Sequence, residues 1–382
     1  MKVEINNKIL TWARKKVNLS VAEVADRIGK SETTISKWES GEEYPTYSQL
    51  EELSYKILNT PIALFFFPSP PEIEDVSVSF RSLPEGLFEE LPSGLIKIIN
   101  KAQVLQLNLK ELDEGRNSNY ESLINAELTT NPIHDAGIIH NLMSVNVDDQ
   151  FKIRYISKAF EYWRDKLAEF GIYVFKEAFQ NTDFSGFCIY DVEFPIIIIN
   201  NSTSFSRQIF TLFHELYHIL HRTSGIDLLQ NSWIDNYTEN EILIERDCNT
   251  FASEFLVPTE GFQSKIHNKS IDEIFICKLA SLYSVSREVI MRRLLKQNLI
   301  TEDLYNEKRK EYISEALRYQ SAKPKGGNYY NTQIAYLGLN YIKLVYNNYN
   351  SSRITKNQLS EYLNIKQDYI GSLESKLYDR GL

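Results

Sequence analysis

Apolar residues recur every three or four positions through most of this chain, the rhythm of amphipathic helices. Residues 1–67 read as short helices, among them "VAEVADRI" and "ETTISKWESG". Residues 72–170 are mixed and mostly helical, with a polar loop near "DEGRNSN". The pattern then changes. Within 171–202, "GIYVFKEAF", "SGFCIYDVE" and "FPIIIINNS" are rich in Ile, Val, Phe and Tyr and predict strands. Helix dominates again from 203 to 322, and the tail shows helical periodicity in "TQIAYLGLNYIKLVYNNY" and "TKNQLSEYLNIKQDYIGSLESKLY". Proline in "PSPP", 68–71, forbids continued helix, and "SAKPKGGNYY", 321–330, is a second break. The chain is therefore expected to be mainly α with a small sheet, an α+β protein. Its expected segments are 1–68, a helical linker region 69–150, a second domain 151–322 and a C-terminal helical extension 323–382.

Composition narrows the setting. The 382 residues suffice for two or three domains with their own cores. The longest apolar runs, "IALFFF" and "FPIIII", are far too short to span a bilayer. The first residues, "MKVEINNKIL", lack the basic-then-apolar design of a secretion signal. Three cysteines make no disulfide framework, so the cytoplasm is the expected compartment. Each of them, Cys188, Cys248 and Cys277, reads as a packed side chain. The net charge of −9 means that any nucleic-acid binding must come from a local patch.

In the first segment, "VAEVADRI" is a short amphipathic helix, Gly29 supplies a turn, and Ser31 caps the helix that follows. Ile35 and Trp38 face inward, leaving Glu32, Thr33, Ser36 and Lys37 outward. The stretch "LSVAEVADRIGKSETTISKWESGEEYPTYSQLEELS" resembles the five-helix-type helix-turn-helix of phage repressors and XRE-type regulators. That resemblance implies DNA in the major groove at the start of the second helix. Thr33, Thr34 and Lys37 are then the DNA-facing residues, with Ser31 and Ser36 near phosphates. Residues 1–68 carry nine Lys and Arg and nine Asp and Glu, so little counterion release drives binding. The bland alternative is a helical module for dimerisation or protein docking. A homodimer would place two modules on half-sites ~34–36 Å apart.

Three of the six histidines lie in "TLFHELYHILHR", 211–222. "HELYH" is an H-E-x-x-H motif. On a helix, His214 and His218 share one face, with β-carbons roughly 5–6 Å apart. That spacing suits two imidazoles on one Zn²⁺, with Glu215 beside them as general base. Ile209, Phe213, Leu216 and Leu220 form the expected buried stripe.

A catalytic site needs a third protein ligand and one open position. The next helix, "ENEILIERDCNTFASEFLVP", supplies candidates. With "RQIFTLFHELYHIL" before it, this region resembles the ImmA/IrrE family of zinc metallopeptidases, a zincin-like, gluzincin-like group. The match runs through Glu245, Asn249, Phe251, Ala252, Leu256 and Pro258, with Cys248 where alanine is usual. Carried over, His214, His218 and Glu245 are zinc ligands, Glu215 is the base, and Asn249 orients a ligand from behind. Glu241 and Asp247 are rivals for the third place. Asp247 points roughly 200° away from Glu245 on a regular helix, whereas Glu241 shares its face and ranks second. His221 reads as a helix C-cap, where cationic histidine is favoured, in preference to an oxyanion or substrate contact. Tyr237 is another candidate oxyanion donor. "FPIIIINNS" reads either as a sheet edge that holds substrate, with Pro195 compatible with an edge, or as a core strand.

The resemblance implies limited proteolysis of a repressor or antitoxin, or action on a neighbour-encoded toxin, in a stress, mobile-element or toxin–antitoxin setting. The competing class is a non-catalytic regulator that uses the peptidase fold as a sensor. The intact Glu215 favours the enzyme. "LASLYSVSREVIMRRLLKQNLI" and "LSEYLNIKQDYIGSLESKLY" also have a helix-turn-helix rhythm, more often a sign of packing than of nucleic-acid binding.

Overall fold

A computed structural model of the chain describes residues 2–17, 19–58, 60, 62–70, 91–179, 183–228, 239–321 and 328–378. The chain divides into two compact units, Met1–Gln103 and Val104–Leu382. No described helix is long and apolar enough to cross a membrane.

In the first unit, α1 (Asn7–Lys16), α2 (Val21–Ile28), α3 (Glu32–Ser40) and α4 (Tyr47–Glu52) are each started by a side-chain cap. Ser20 and Glu23 form a reciprocal capping box on α2, which satisfies two otherwise orphaned N–H groups. Gly29 ends α2 with φ +65° and Gly41 ends α3 with φ +80°, a left-handed conformation in which glycine carries no Cβ penalty. Ile9, Leu10, Ala13, Val24, Ile35, Trp38, Leu50 and Leu53 form the core. Arg14 clamps α1 to α3: Nε and Nη2 donate to Glu39 at 2.6 and 2.9 Å, and Nη1 donates to the Leu19 carbonyl at 2.8 Å.

The division between the units falls within α5 (Ser93–Leu112). The second unit then adds α6 (Glu121–Ile124), α7 (Pro132–Leu142), α8 (Val147–Phe151) and α9 (Ile156–Glu169). A four-stranded sheet follows, with β1 (Tyr173–Glu177), β2 (Phe184–Ile189), β3 (Ile196–Asn200) and β4 (Ile226–Leu228) in the order β1-β3-β2-β4. β1 runs parallel to β3, and β2 is antiparallel to both β3 and β4. β3 is thus a central strand, all five residues buried, and the reading of "FPIIIINNS" as a substrate-holding edge does not survive. A run with no polar alternation is what a strand covered on both faces requires. Among the described strands, the edges are β1 and the short β4.

Between β3 and β4 lies α10 (Phe205–Leu220), and after β4 come α11 (Glu239–Leu256), α12 (Thr259–Ile266), α13 (Glu273–Tyr283), α14 (Arg287–Lys296) and α15 (Glu302–Ser321). Phe213 of α10 stacks on Phe255 of α11 at 4.3 Å, and Trp163 of α9 meets both rings edge-on at 5.0 and 5.7 Å. Val289, Ile290, Met291 and Leu294 are buried in α14, so its helix-turn-helix rhythm is packing. Arg293 of the same helix is buried too, donating to Glu254 at 2.6 Å and to Thr259 Oγ1 at 2.8 Å. Cys277 is exposed rather than packed, because it lies on the outer face of α13.

The C-terminal helices α16 (Tyr329–Leu337), α17 (Leu339–Asn350), α18 (Lys356–Tyr362) and α19 (Ile370–Tyr378) belong to this unit. The buried Arg164 ties them down, donating to the carbonyls of Val174 (2.8 Å), Ala335 (2.8 Å) and Tyr336 (2.9 Å). Gly338, at φ +82°, leaves the room this needs, since a Cβ there would sit 2.5 Å from Arg164 Cζ.

Lys176, on β1, is 2% exposed, with Nζ 3.5 Å from the Phe160 ring centroid and 4.9 Å from that of Phe205. Burial, helped by the charge on Arg164, lowers its pKa to about 7. Between that value and its ordinary one the unfolded chain binds more protons, so stability rises with pH across about 7 to 10.5. Lys176→Met should therefore raise stability at pH 7 by roughly 2–4 kcal/mol, with the gain vanishing above about pH 10.5. Thermal melts across that range check this. A gain independent of pH would show that the ammonium is not the cause.

Candidate metal centre

Ser204 starts α10, its Oγ accepting from the Arg207 N–H at 3.3 Å. From Thr211 to Ile219 the helix is buried on every side, more than the single apolar stripe in its sequence implies. His214 and His218 project from one face with ring centroids 5.2 Å apart. His214 is 1% exposed, Glu215 0% and His218 4%.

Buried polar groups need partners, and most of α10 has them. Arg207 donates to both oxygens of Asp227 on β4, at 2.7 and 2.6 Å, and to Ser185 Oγ at 2.8 Å. Thr211 Oγ1 donates to Asp227 at 2.8 Å, and Gln208 donates to the Thr203 carbonyl at 2.9 Å. Tyr217 donates to Asp135 on α7 at 3.2 Å. His218 Nδ1 lies 3.3 Å from Thr223 Oγ1, whose hydroxyl donates to the His218 carbonyl at 3.0 Å. Gly225 packs flat against the His218 ring: a Cβ there would stand 2.6 Å from Nε2.

Most exceptions cluster. Nε2 of both histidines, Nδ1 of His214 and both oxygens of Glu215 are buried with no hydrogen-bond partner, and the one outlier on this helix is Gln208 Oε1. Glu245 of α11 reaches between the rings, Oε2 3.1 Å from His214 Nε2 and Oε1 3.2 Å from His218 Nε2. Glu245 is thus an ion-pair partner of both rings, while neither Nε2 has a hydrogen bond that satisfies it. Cys248, one turn along α11, forms a ligand group with the two histidines, a group that does not include Glu245. Its Sγ and one nitrogen of each histidine lie within 4.8 Å of one another. Asn249 Nδ2 donates to the Glu245 carbonyl at 2.9 Å and so holds that turn of α11. Asp247 lies on the side of Tyr217 and His221, and Glu241 is partly buried.

The electrostatics favour positive charge at the rings. Burial would lower the pKa of His214, yet Asp227 and Glu245 raise it to about 9. Burial would raise that of Glu245, yet His218 and His214 hold it well below the usual carboxylate range. Glu215 is raised to about 7, chiefly by burial and against the pull of His218 and His214. Two imidazoles with unsatisfied, converging nitrogens beside a carboxylate are the donor set of a zinc site. In a tetrahedral site with bonds of ~2.0–2.1 Å, neighbouring ligand atoms stand roughly 3.3 Å apart, close to the separations here.

His221 occupies the C-cap position of α10, its ring 4.3 Å from Tyr217 and its Nε2 3.8 Å from Asp135. Tyr237 lies outside the described residues. In the first unit, Ser31, Thr33 and Ser36 are exposed at the start of α3. The Thr34 hydroxyl is 2.9 Å from that of Ser31, inside the cap. Lys37 Nζ donates to Glu43 at 3.0 Å, and Glu43 also accepts from Lys2 at 3.1 Å. The positions that motif reading missed are those that hold the rings: Thr223, Gly225 and Asp227 lie beyond the helix. Only Arg207 and Thr211 gave a signal, as polar residues inside an otherwise apolar helix.

Residues 167–295 match the family described as the IrrE N-terminal-like domain, a peptidase family, and residues 10–64 match the helix-turn-helix family. The chain thus carries an ImmA/IrrE-like peptidase domain and, before it, an XRE-type helix-turn-helix domain. The first of these is a metallopeptidase class, which implies a metal ion. No curated protein matches the chain.

Gly225→Ala must displace the His218 ring or the β4 backbone. It should cost on the order of 1–3 kcal/mol in urea unfolding. Gly137→Ala, on α7 with open space around it, should instead be neutral or stabilising by up to about 1 kcal/mol. Equal effects would mean that Gly225 does not hold the ring.

Proposed function

We propose that this chain is a zinc-dependent endopeptidase that performs limited proteolysis of a regulatory protein, a repressor or antitoxin, and that its helix-turn-helix unit binds DNA. The observation that carries the enzyme reading is Glu215, a fully buried carboxylate whose oxygens make no hydrogen bond, beside two buried imidazoles whose Nε2 atoms make none either. Leaving three such groups unsatisfied in a core is costly unless a ligand and a reacting water complete them.

In this reading His214, His218 and Glu245 hold the metal. Zinc bound there supplies Lewis acidity, lowering the pKa of water toward ~7 and polarising the scissile carbonyl. Glu215 takes the proton of the attacking water and returns it to the leaving amine. Asp227, fixed by Arg207 and Thr211, keeps negative potential behind His214. Thr223 and Gly225 set the plane of the His218 ring.

Zinc should bind at about one per chain and be lost in the His214→Ala/His218→Ala double variant, measured on protein purified without chelator. Glu215→Gln should keep the zinc and lose at least 10²-fold in cleavage of a repressor or antitoxin encoded beside the gene. Cleavage at the wild-type rate would remove Glu215 from the role of base. In a zinc competition titration Glu245→Ala should weaken binding far more than Glu241→Ala, and the reverse order would exchange their roles.

The DNA reading rests on the exposed start of α3. Lys37 is held by Glu43, so much of its phosphate attraction is neutralised in the free chain. Glu43→Gln should raise affinity for DNA several-fold at low salt and steepen the salt dependence by about one to two counterions. Mobility shifts across a salt series test this. No binding by either form at low salt would make the unit a protein-docking module.

A further inference from the structure

We propose that Cys248 is a fourth protein ligand, whose thiolate closes the coordination of a metal held by His214, His218 and Glu245 in the resting chain. The inference rests on the metal reading above and adds a group that reading does not use. Its ground is geometric. Cys248 Sγ and a nitrogen of each histidine form a mutual cluster within 4.8 Å, all three side chains buried. The two Nε2 atoms are unpartnered and enclosed, so they point to a missing ligand independently of the cysteine. Cys248 comes from the same helix as Glu245, three residues on, so one rigid element brings both groups to the rings.

The second buried thiol nearby makes the contrast. Cys188 Sγ accepts the Gly225 N–H at 3.3 Å and donates to the Thr223 carbonyl at 3.8 Å, so its sulfur is already used by the loop before β4. Cys248 Sγ has no such partner among the described residues. In a tetrahedral site a Zn–S bond of ~2.3 Å puts sulfur roughly 3.5 Å from a neighbouring imidazole nitrogen. From separations of at most 4.8 Å, the movement needed is at most about 1.3 Å. Binding replaces the S–H bond by a metal–sulfur bond, and the proton leaves to solvent.

The consequence is a latent enzyme. A catalytic zinc site needs one open position, whereas a site with four protein ligands is closed. Cys248 would have to leave before water or a substrate carbonyl could enter.

The test uses the full chain loaded with Co²⁺, and separately with Zn²⁺. Wild type should show visible bands of four-coordinate cobalt together with a near-ultraviolet sulfur-to-cobalt charge-transfer band. Cys248→Ala should lose the second band and keep the first, and Cys188→Ala should keep both. Zinc-edge X-ray absorption of wild type should show one sulfur at ~2.3 Å, lost in Cys248→Ala. Circular dichroism and the retained visible bands report whether each variant is folded. Cobalt bands without charge transfer in wild type, or a charge-transfer band that survives Cys248→Ala, overturn the proposal and leave the metal centre standing. No cobalt bands in wild type overturn the metal reading as well.

Discussion

The enclosure of α10 is the constraint on which the rest of the site depends. A helix buried on one face can leave its polar side chains to water, whereas this one, enclosed from Thr211 to Ile219, cannot. Each polar group on it must find a protein partner, find a ligand or stay unsatisfied. Arg207, Gln208, Thr211 and Tyr217 find protein partners. The groups left over, on His214, Glu215 and His218, are the ones whose chemistry suits a metal and a proton transfer. Gln208 keeps one unpaired oxygen, but on the histidines and Glu215 the unpaired atoms gather at one place on the helix.

Around that helix the support is asymmetric. Asp227 collects Arg207 and Thr211 on one side, and Asp135 collects Tyr217 and Thr129 on the other. Both aspartates are buried and hydrogen-bonded, as buried charges must be. Between them the helix is fixed in rotation as well as in position, and that sets where the imidazoles point. The aromatic nucleus of Trp163, Phe213 and Phe255 fixes the distance between α10 and α11, and so brings Glu245 within reach of both rings.

Much of this was legible in the sequence because it is local. Capping residues, glycines at left-handed turns and the i, i+4 spacing of His214 and His218 act over a few positions, and α2 and α3 fall where the pattern put them. The three strands of 171–202 were legible from β-branched and aromatic runs. What was not legible is long-range. β4 is three residues long and carries no periodic signal, yet it supplies Asp227 and lies beside Gly225. The place of β3 in the middle of the sheet depends on pairing order, which no single segment encodes. The division between the units falls inside α5, where no proline or glycine stands near Gln103 and Val104 to mark it in the sequence. The preferred third ligand came from resemblance. The proximity of Cys248 came only from coordinates, since at one turn's spacing a packed thiol and a liganding thiol read alike.

The anchoring of Arg164 has a consequence for biosynthesis. Its guanidinium lies in the core of the peptidase-bearing unit, and two of its three acceptors are the carbonyls of Ala335 and Tyr336. A nascent chain that has emerged only through α15 already contains the histidines, Glu215 and Glu245, and it holds Val174 and Glu161 beside the guanidinium, but it lacks the two carbonyls that take the Nη1 and Nη2 donors of Arg164. Each hydrogen bond to a charged group is worth about 1.5–3 kcal/mol, so losing two is a large part of the ~5–15 kcal/mol by which a domain is ordinarily stable. The helix-turn-helix unit, which ends by Gln103, can fold early on the ribosome, whereas the second unit completes its Arg164 contacts only once Ala335 and Tyr336 have been made. A truncated product therefore keeps the fold that would find DNA and lacks a settled core for the one that would cut.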